Sequence, residues 1–234
     1  MKIFLLILTF VMLFSLNVVF AGTVTHCSYP SAKKIDGHLD DWDTDSFIHV
    51  SHDKGPLKGE NDKDISFDFA TAADDKYLYV AAIIIDDKLV YGKTNDHNED
   101  SLEIYIDANN NKIKSYEKDD VQIGIPAINI DLRDVQNPKL YAVGGGKDTG
   151  AQVAAVKSKN GWIVEAAIPL NNANWDIKPA PGKRIGFNLQ LNDNDKGTGR
   201  DHQIVWSDFD KNNESWKNTA VFGELVFKEK KHKK

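Results

Sequence analysis

Residues 100–107, Asp-Ser-Leu-Glu-Ile-Tyr-Ile-Asp, alternate in character with period two. Leu102, Ile104 and Ile106 fall on one side of an extended chain, and Ser101, Glu103 and Tyr105 on the other. The division returns in Val121, Ile123 and Ile125 against Asp120, Gln122 and Gly124, and again in Phe187, Leu189 and Leu191 against Asn188, Gln190 and Asn192. A helix would spread these apolar residues around its axis, whereas a strand gathers them onto one core-facing side. The face turned away from the core then carries amides and carboxylates. Such groups pair with hydroxyl donors and acceptors at fixed angles, so this surface suits a hydroxyl-rich ligand.

The rest of the chain has the same texture. Short apolar or alternating runs separated by Gly, Asn, Asp and Pro predict strands near 64–70, 77–85, 100–107, 120–126, 138–143, 151–158, 161–169, 184–193, 202–207 and 220–227. No long window shows helical periodicity. Tyr77–Ile85 is apolar on both faces and belongs at the centre of a sheet. Ser158-Lys-Asn-Gly161 reads as a hairpin turn. Many evenly spaced strands without helices predict an all-β, antiparallel β-sandwich of jelly-roll or immunoglobulin-like type, in a single domain, with barrel closure as the alternative.

Ile3–Phe20 is apolar apart from Thr9, Ser15 and Asn17, follows Lys2, and ends at Val19-Phe20-Ala21. It is expected to be a signal peptide over 1–21, cleaved after Ala21, with a retained anchor as the rival. A lead-in over 22–32, a sandwich over 33–228 and a basic disordered tail over 229–234 follow. This organisation predicts a secreted, periplasmic or extracellular protein that is not membrane-bound once cleaved. Cys27 is the only cysteine, so no intrachain disulfide forms, and both methionines, Met1 and Met12, lie in the leader. The chain carries 29 basic and 35 acidic residues, a net charge of -6, and several of its lysines sit in the tail. An acidic body of this kind repels nucleic acid and anionic membranes and favours hard cations.

The order of several segments resembles a family 9 carbohydrate-binding module. They are Ile35-Asp-Gly-His-Leu-Asp-Asp-Trp42, Asp75–Val80, Asp100–Asp107, Asp119-Asp-Val-Gln122, Gly161–Pro169, Ile185–Asp193, Trp206-Ser-Asp208, and Trp216 followed by Phe222-Gly223. The resemblance implies a non-catalytic sugar-binding sandwich with structural calcium. Its ligand would be an oligo- or polysaccharide whose end is held between two tryptophans. Relatives are often fused to glycoside hydrolases, which ties the module to carbohydrate catabolism and leaves room for a larger extracellular assembly. Carried over residue by residue, Trp216 matches one clamp tryptophan, Glu103 and Gln122 match polar site positions, and Asn213 matches an asparagine before that tryptophan. His97 stands where the second tryptophan is expected, and Gly124 where the family has an arginine. Asp86 and Asp100 match acidic positions used for metal. Asp107-Ala-Asn-Asn-Asn111 opens like an EF-hand loop, but Lys112 and Lys118 replace its required Gly and Glu.

Trp162 alternates with Val164 and Ala166 and belongs to the core, as does Trp206. Trp42 is expected to plug one end of the sandwich. Trp216, in the polar segment Asn212-Asn-Glu-Ser-Trp216, is the candidate for stacking on a sugar face. Two other classes compete with sugar binding. One is a glycoside hydrolase using Glu103 and Glu165, both turned from the core. The other is a haem-binding, cytochrome-like sandwich with His97 or His202 as ligand, disfavoured by the lack of methionine beyond the leader.

Overall fold

A computed structural model describes residues 23–144 and 148–230. The expected leader and the end of the basic tail lie outside the described residues. Among the described residues twelve strands form the fold: β1 (Val24–Tyr29), β2 (Ile48–Val50), β3 (Ile65–Ala73), β4 (Tyr77–Asp86), β5 (Ser101–Asp107), β6 (Asp120–Pro126), β7 (Tyr141–Gly144), β8 (Gln152–Ser158), β9 (Gly161–Pro169), β10 (Arg184–Asp193), β11 (His202–Val205) and β12 (Gly223–Glu229). One short helix, α1 (Asn129–Leu132), interrupts them. The strands form one curled sheet in the order β7-β6-β5-β10-β12-β1-β3-β4-β9-β8, with β11 beside β10 and β2 beside β3. The sheet folds over on itself, so Ile104, Ile123 and Phe187 from one half share a core with Phe69, Ile84 and Val164 from the other. Phe69 meets Phe187 across that core at 6.5 Å between ring centroids. Trp162 and Trp206 are buried there as expected.

Most pairings are antiparallel, but β1 runs parallel to both β12 and β3 and joins the two halves. No sequence signal marked β1 or β2. In β1 the buried positions are Thr25 and Cys27, too small and polar to stand out from their neighbours. Other boundaries move for local reasons. The strand expected from 138 starts at Tyr141, because the Asn129 amide already serves Lys139, donating to its carbonyl and accepting from its N–H at 2.8 Å each. The strand expected from 220 starts at Gly223, because Asn218 caps a 3-10 turn over Thr219–Val221. It runs to Glu229, and Lys230 N–H donates to Tyr29 O at 2.8 Å, so the sheet extends into the predicted tail. The β8–β9 hairpin closes as predicted, with Gly161 at φ +144°. A Cβ there would lie 2.3 Å from Ile84 O, so only glycine fits.

Trp42 lies over the outer face of the second half instead of plugging an end. It packs with Ala70, Ala81 and Ala167, and its indole donates to Glu165 Oε1 at 2.8 Å. Glu165 Oε2 accepts from the N–H groups of Gly37 at 2.7 Å and Asp36 at 3.1 Å. This buried carboxyl clamps the 35–47 segment to β9. It also removes the hydrolase alternative. Glu103 and Glu165 point away from the shared core on opposite halves, so they cannot flank one bond. Glu165→Ala leaves an indole and two main-chain donors unpaired, and should cost roughly 2–4 kcal/mol in denaturant unfolding. A loss below about 0.5 kcal/mol, the scale of an ordinary surface change, would contradict the clamp.

Candidate functional site

The outer face of β5, β6 and β10 is polar yet almost fully buried. Register sets Glu103 beside Gln190, Tyr105 beside Asn188 and Ser101 beside Asn192. Glu103 collects donors from three sides: Tyr105 at 2.5 Å and Gln190 at 2.7 Å on Oε2, and Tyr141 at 2.8 Å on Oε1. Burial first, then the Glu103 charge, push both phenols well above their ordinary value, so each hydroxyl keeps its proton and donates. Gly124 makes this possible. A Cβ on it would fall 2.1 Å from the Tyr141 ring, so the residue that departs from the family's arginine is the one that admits Tyr141.

Above this network opens a cavity of about 280 Å³, lined by His97, Glu103, Tyr105, Gln122, Gln190, Arg200, Asn213 and Trp216. All five sequence-predicted sugar-site residues therefore meet in one place. The buried carbonyl oxygens of Gln122 and Gln190 have no hydrogen-bond partner. Trp216 is 46% exposed, the large aromatic left open at the rim. Its support is rigid. Buried Asp210 accepts from Ser215 N–H at 2.9 Å, Ser215 Oγ–H at 2.6 Å and Glu214 N–H at 2.8 Å. Asn188 donates to Ser215 Oγ at 2.8 Å, and the Tyr116 hydroxyl donates to the Ser215 carbonyl. Asn213 adopts φ +55°, a conformation asparagine tolerates better than most residues.

The opposite rim holds His97, in a loop organised by Glu99. Burial raises the Glu99 carboxyl, but main-chain N–H groups of Thr94, Asn95, Lys93 and Gly92 outweigh it and hold the group below its ordinary value. Sequence reasoning missed Arg200, whose guanidinium donates to Asn192 Oδ1 at 3.0 Å. It lies in a Gly, Asp and Lys-rich loop with no period. The available signal was its rarity, since it is one of three arginines in the chain.

Asp86 at the end of β4 and Asp100 before β5 come together as the sequence predicted, joined by Asp193 at the end of β10, with oxygens within 4.8 Å of one another. Lys88 N–H donates to Asp86 at 2.8 Å, and Asn194 N–H (2.9 Å) and Val90 N–H donate to Asp100. Both Asp193 oxygens are buried without a partner. This all-oxygen set, with an orphaned carboxylate, fits a calcium ion.

The family model described as "Carbohydrate family 9 binding domain-like" matches residues 35–230. The chain belongs to this family. It is 37% identical over 193 residues to endo-1,4-beta-xylanase A of Thermotoga maritima, covering 82% of this chain but 16% of that enzyme. A similar match, 37% over 198 residues, is found with the xylanase A of Thermotoga neapolitana, again over 16% of its length. The similarity thus spans a small part of each xylanase. In fold, the chain resembles a family 9 carbohydrate-binding module from Caldicellulosiruptor kristjanssonii solved with cellotriose, at TM-score 0.71 and 24% identity, covering 89% of this chain and 95% of that one. Membership of a carbohydrate-binding family, and not the sandwich architecture, favours sugar binding over the haem alternative.

Burial first, and then neighbouring carboxylates, push Asp86, Asp100 and Asp193 upward, Asp193 to about 8. Without a cation the folded chain therefore holds protons that the unfolded chain releases near pH 4, and stability falls as pH rises from there through about 8. In EDTA the Tm is expected to be higher at pH 5 than at pH 8, and Asp193→Asn should flatten that fall. A Tm that climbs between pH 5 and pH 8 in chelator would contradict this.

Proposed function

We propose that this protein is a secreted, calcium-stabilised, non-catalytic sugar-binding module whose ligand enters the cavity beneath Trp216. One observation carries the reading: a half-exposed tryptophan stands over a preorganised polar floor with two unpartnered amide oxygens. Stacking on the apolar C–H face of a pyranose would be supplied by Trp216. Ring hydroxyls would donate to Gln122 Oε1, Gln190 Oε1 and Glu103 and accept from Arg200 and Asn213. His97 would form the opposite wall, in place of a second tryptophan. The cavity, at about 280 Å³, falls just below the roughly 300–1,000 Å³ typical of ligand pockets, which favours a terminal ring over a long stretch of chain. A family 9 relative was solved with cellotriose and with glucose, so gluco-configured saccharides are the first to test. Calcium held by Asp86, Asp100 and Asp193 would tie the ends of β4 and β10 to the base of the His97 loop, keeping that wall in place.

Titration calorimetry of the calcium-loaded protein with glucose, xylose and their oligomers tests the proposal. Binding is expected, with Trp216→Ala weakening it at least tenfold, a loss of about 1.4 kcal/mol or more. His97→Trp should tighten it by restoring a second aromatic wall. If no saccharide binds, or if Trp216→Ala leaves affinity unchanged, the assignment of this cavity is wrong.

A further inference from the structure

Asp193 faces a second group of ligands besides Asp86 and Asp100. Its carboxylate oxygens, 98% buried by residue exposure and without hydrogen-bond partners, also approach Asp64, Asp195 and His202, one atom from each lying within 4.8 Å of the others. Asp64 is buried, while Asp195 and His202 are half-buried. Among the described residues no lysine or arginine forms an ion pair with Asp64, Asp193 or Asp195. Lys88 directs its ammonium to the main-chain oxygen of Asp195, not to the carboxylates. Lys196 is engaged with Asp201 at 2.7 Å.

The histidine decides what this group can hold. Its Nδ1 lies 2.9 Å from the Lys58 carbonyl oxygen, an acceptor, so the ring proton sits on Nδ1. That leaves the Nε2 lone pair free, and Nε2 is 3.9 Å from Asp64 Oδ2. A carbonyl that fixes the tautomer while the other nitrogen faces carboxylates is the usual support for a metal-bound imidazole. Ligand atoms around a zinc-sized ion at about 2.0–2.2 Å stand roughly 3–4 Å apart, so small side-chain adjustments would complete the shell. An imidazole with carboxylates suits a first-row transition ion better than calcium, which prefers an all-oxygen shell.

We propose that Asp64, Asp193, Asp195 and His202 form a second divalent-cation site, of mixed imidazole and carboxylate character, with Asp193 shared with the Asp86–Asp100 pair. The site joins the segment before β3 to the start of the 193–201 loop and to β11. It would thereby fasten the base of the loop that delivers Arg200 to the cavity. It does not depend on sugar binding, and its test reads metal alone.

Full-length protein stripped with chelator would be titrated with Zn²⁺ and with Ca²⁺, and separately loaded with Co²⁺ for its visible d–d spectrum. Zn²⁺ is expected to bind wild type with at least tenfold higher affinity than His202→Gln or Asp64→Asn, while Ca²⁺ affinity changes less than twofold in His202→Gln. The Co²⁺ spectrum should carry an imidazole-ligated band that His202→Gln abolishes. Circular dichroism identifies folded variants, so either substitution suffices if the other fails to fold. His49→Gln, which alters a separate histidine–aspartate cluster with Asp62 and Asp68, should change none of these readings. Equal Zn²⁺ affinity in wild type and His202→Gln, or loss of Zn²⁺ only in His49→Gln, would overturn the site.

Discussion

The register between β5 and β10 is the constraint on which the rest of the structure depends. It places Ile104 beside Leu189 and Ile106 beside Phe187 on one face, and Glu103 beside Gln190 on the other. A slip of one residue would drive Glu103 into the core among Phe187 and Ile123 and expel Ile104 onto the polar face. Burying a carboxylate without partners is far costlier than losing one apolar contact. The apolar core and the polar network therefore enforce the same alignment from opposite sides, and the fold and the site are specified together.

The polar face is covered instead of solvated. Tyr105 packs on Phe222 at 5.6 Å, Tyr116 closes beside them, and Ser215 is fixed by both Asp210 and Asn188. The loop that ends in Trp216 is thus built into the second layer of polar contacts. The His97 loop rests on Glu99, just before β5, which accepts from the N–H groups of Thr94 and Asn95 at 3.0 Å each. Both rims of the cavity thus trace back to β5 and β10, one through Asn188 opposite Tyr105 and the other through Glu99 just before Ser101. A ligand that meets such a site loses little affinity to ordering of the protein. Asp86, Asp100 and Asp193 gather at the Ser101 end of β5, where cation binding would offset the repulsion among them.

Much of this was legible in the sequence because period-two alternation is local. The strands from β3 to β12 that carry the core declare themselves by Leu, Ile, Val and Phe at every second position, and Glu103, Gln122 and Trp216 stand out against that pattern, whereas His97 and Asn213 were marked only by the resemblance to the family. Three things were hidden. β1 depends on parallel pairing between the chain's distant ends, with Thr25 and Cys27 as its inward residues. Tyr141 reaches Glu103 only because Gly124, on the neighbouring strand, has no side chain. Asp193 and Arg200 read as the ends of a polar loop, and only the tertiary path of β10 brings one to Asp86 and the other to the cavity. Each depends on what lies across the sheet, which spacing along the chain does not encode.

The central claim is that Trp216 and the Glu103 network form one saccharide site, and a crystal structure of the protein grown with cellotriose tests it most directly. The account predicts a terminal glucose ring stacked on Trp216, with hydroxyls on Glu103, Gln122 and Gln190. A saccharide bound on another face, with the cavity beneath Trp216 holding only solvent, would contradict it.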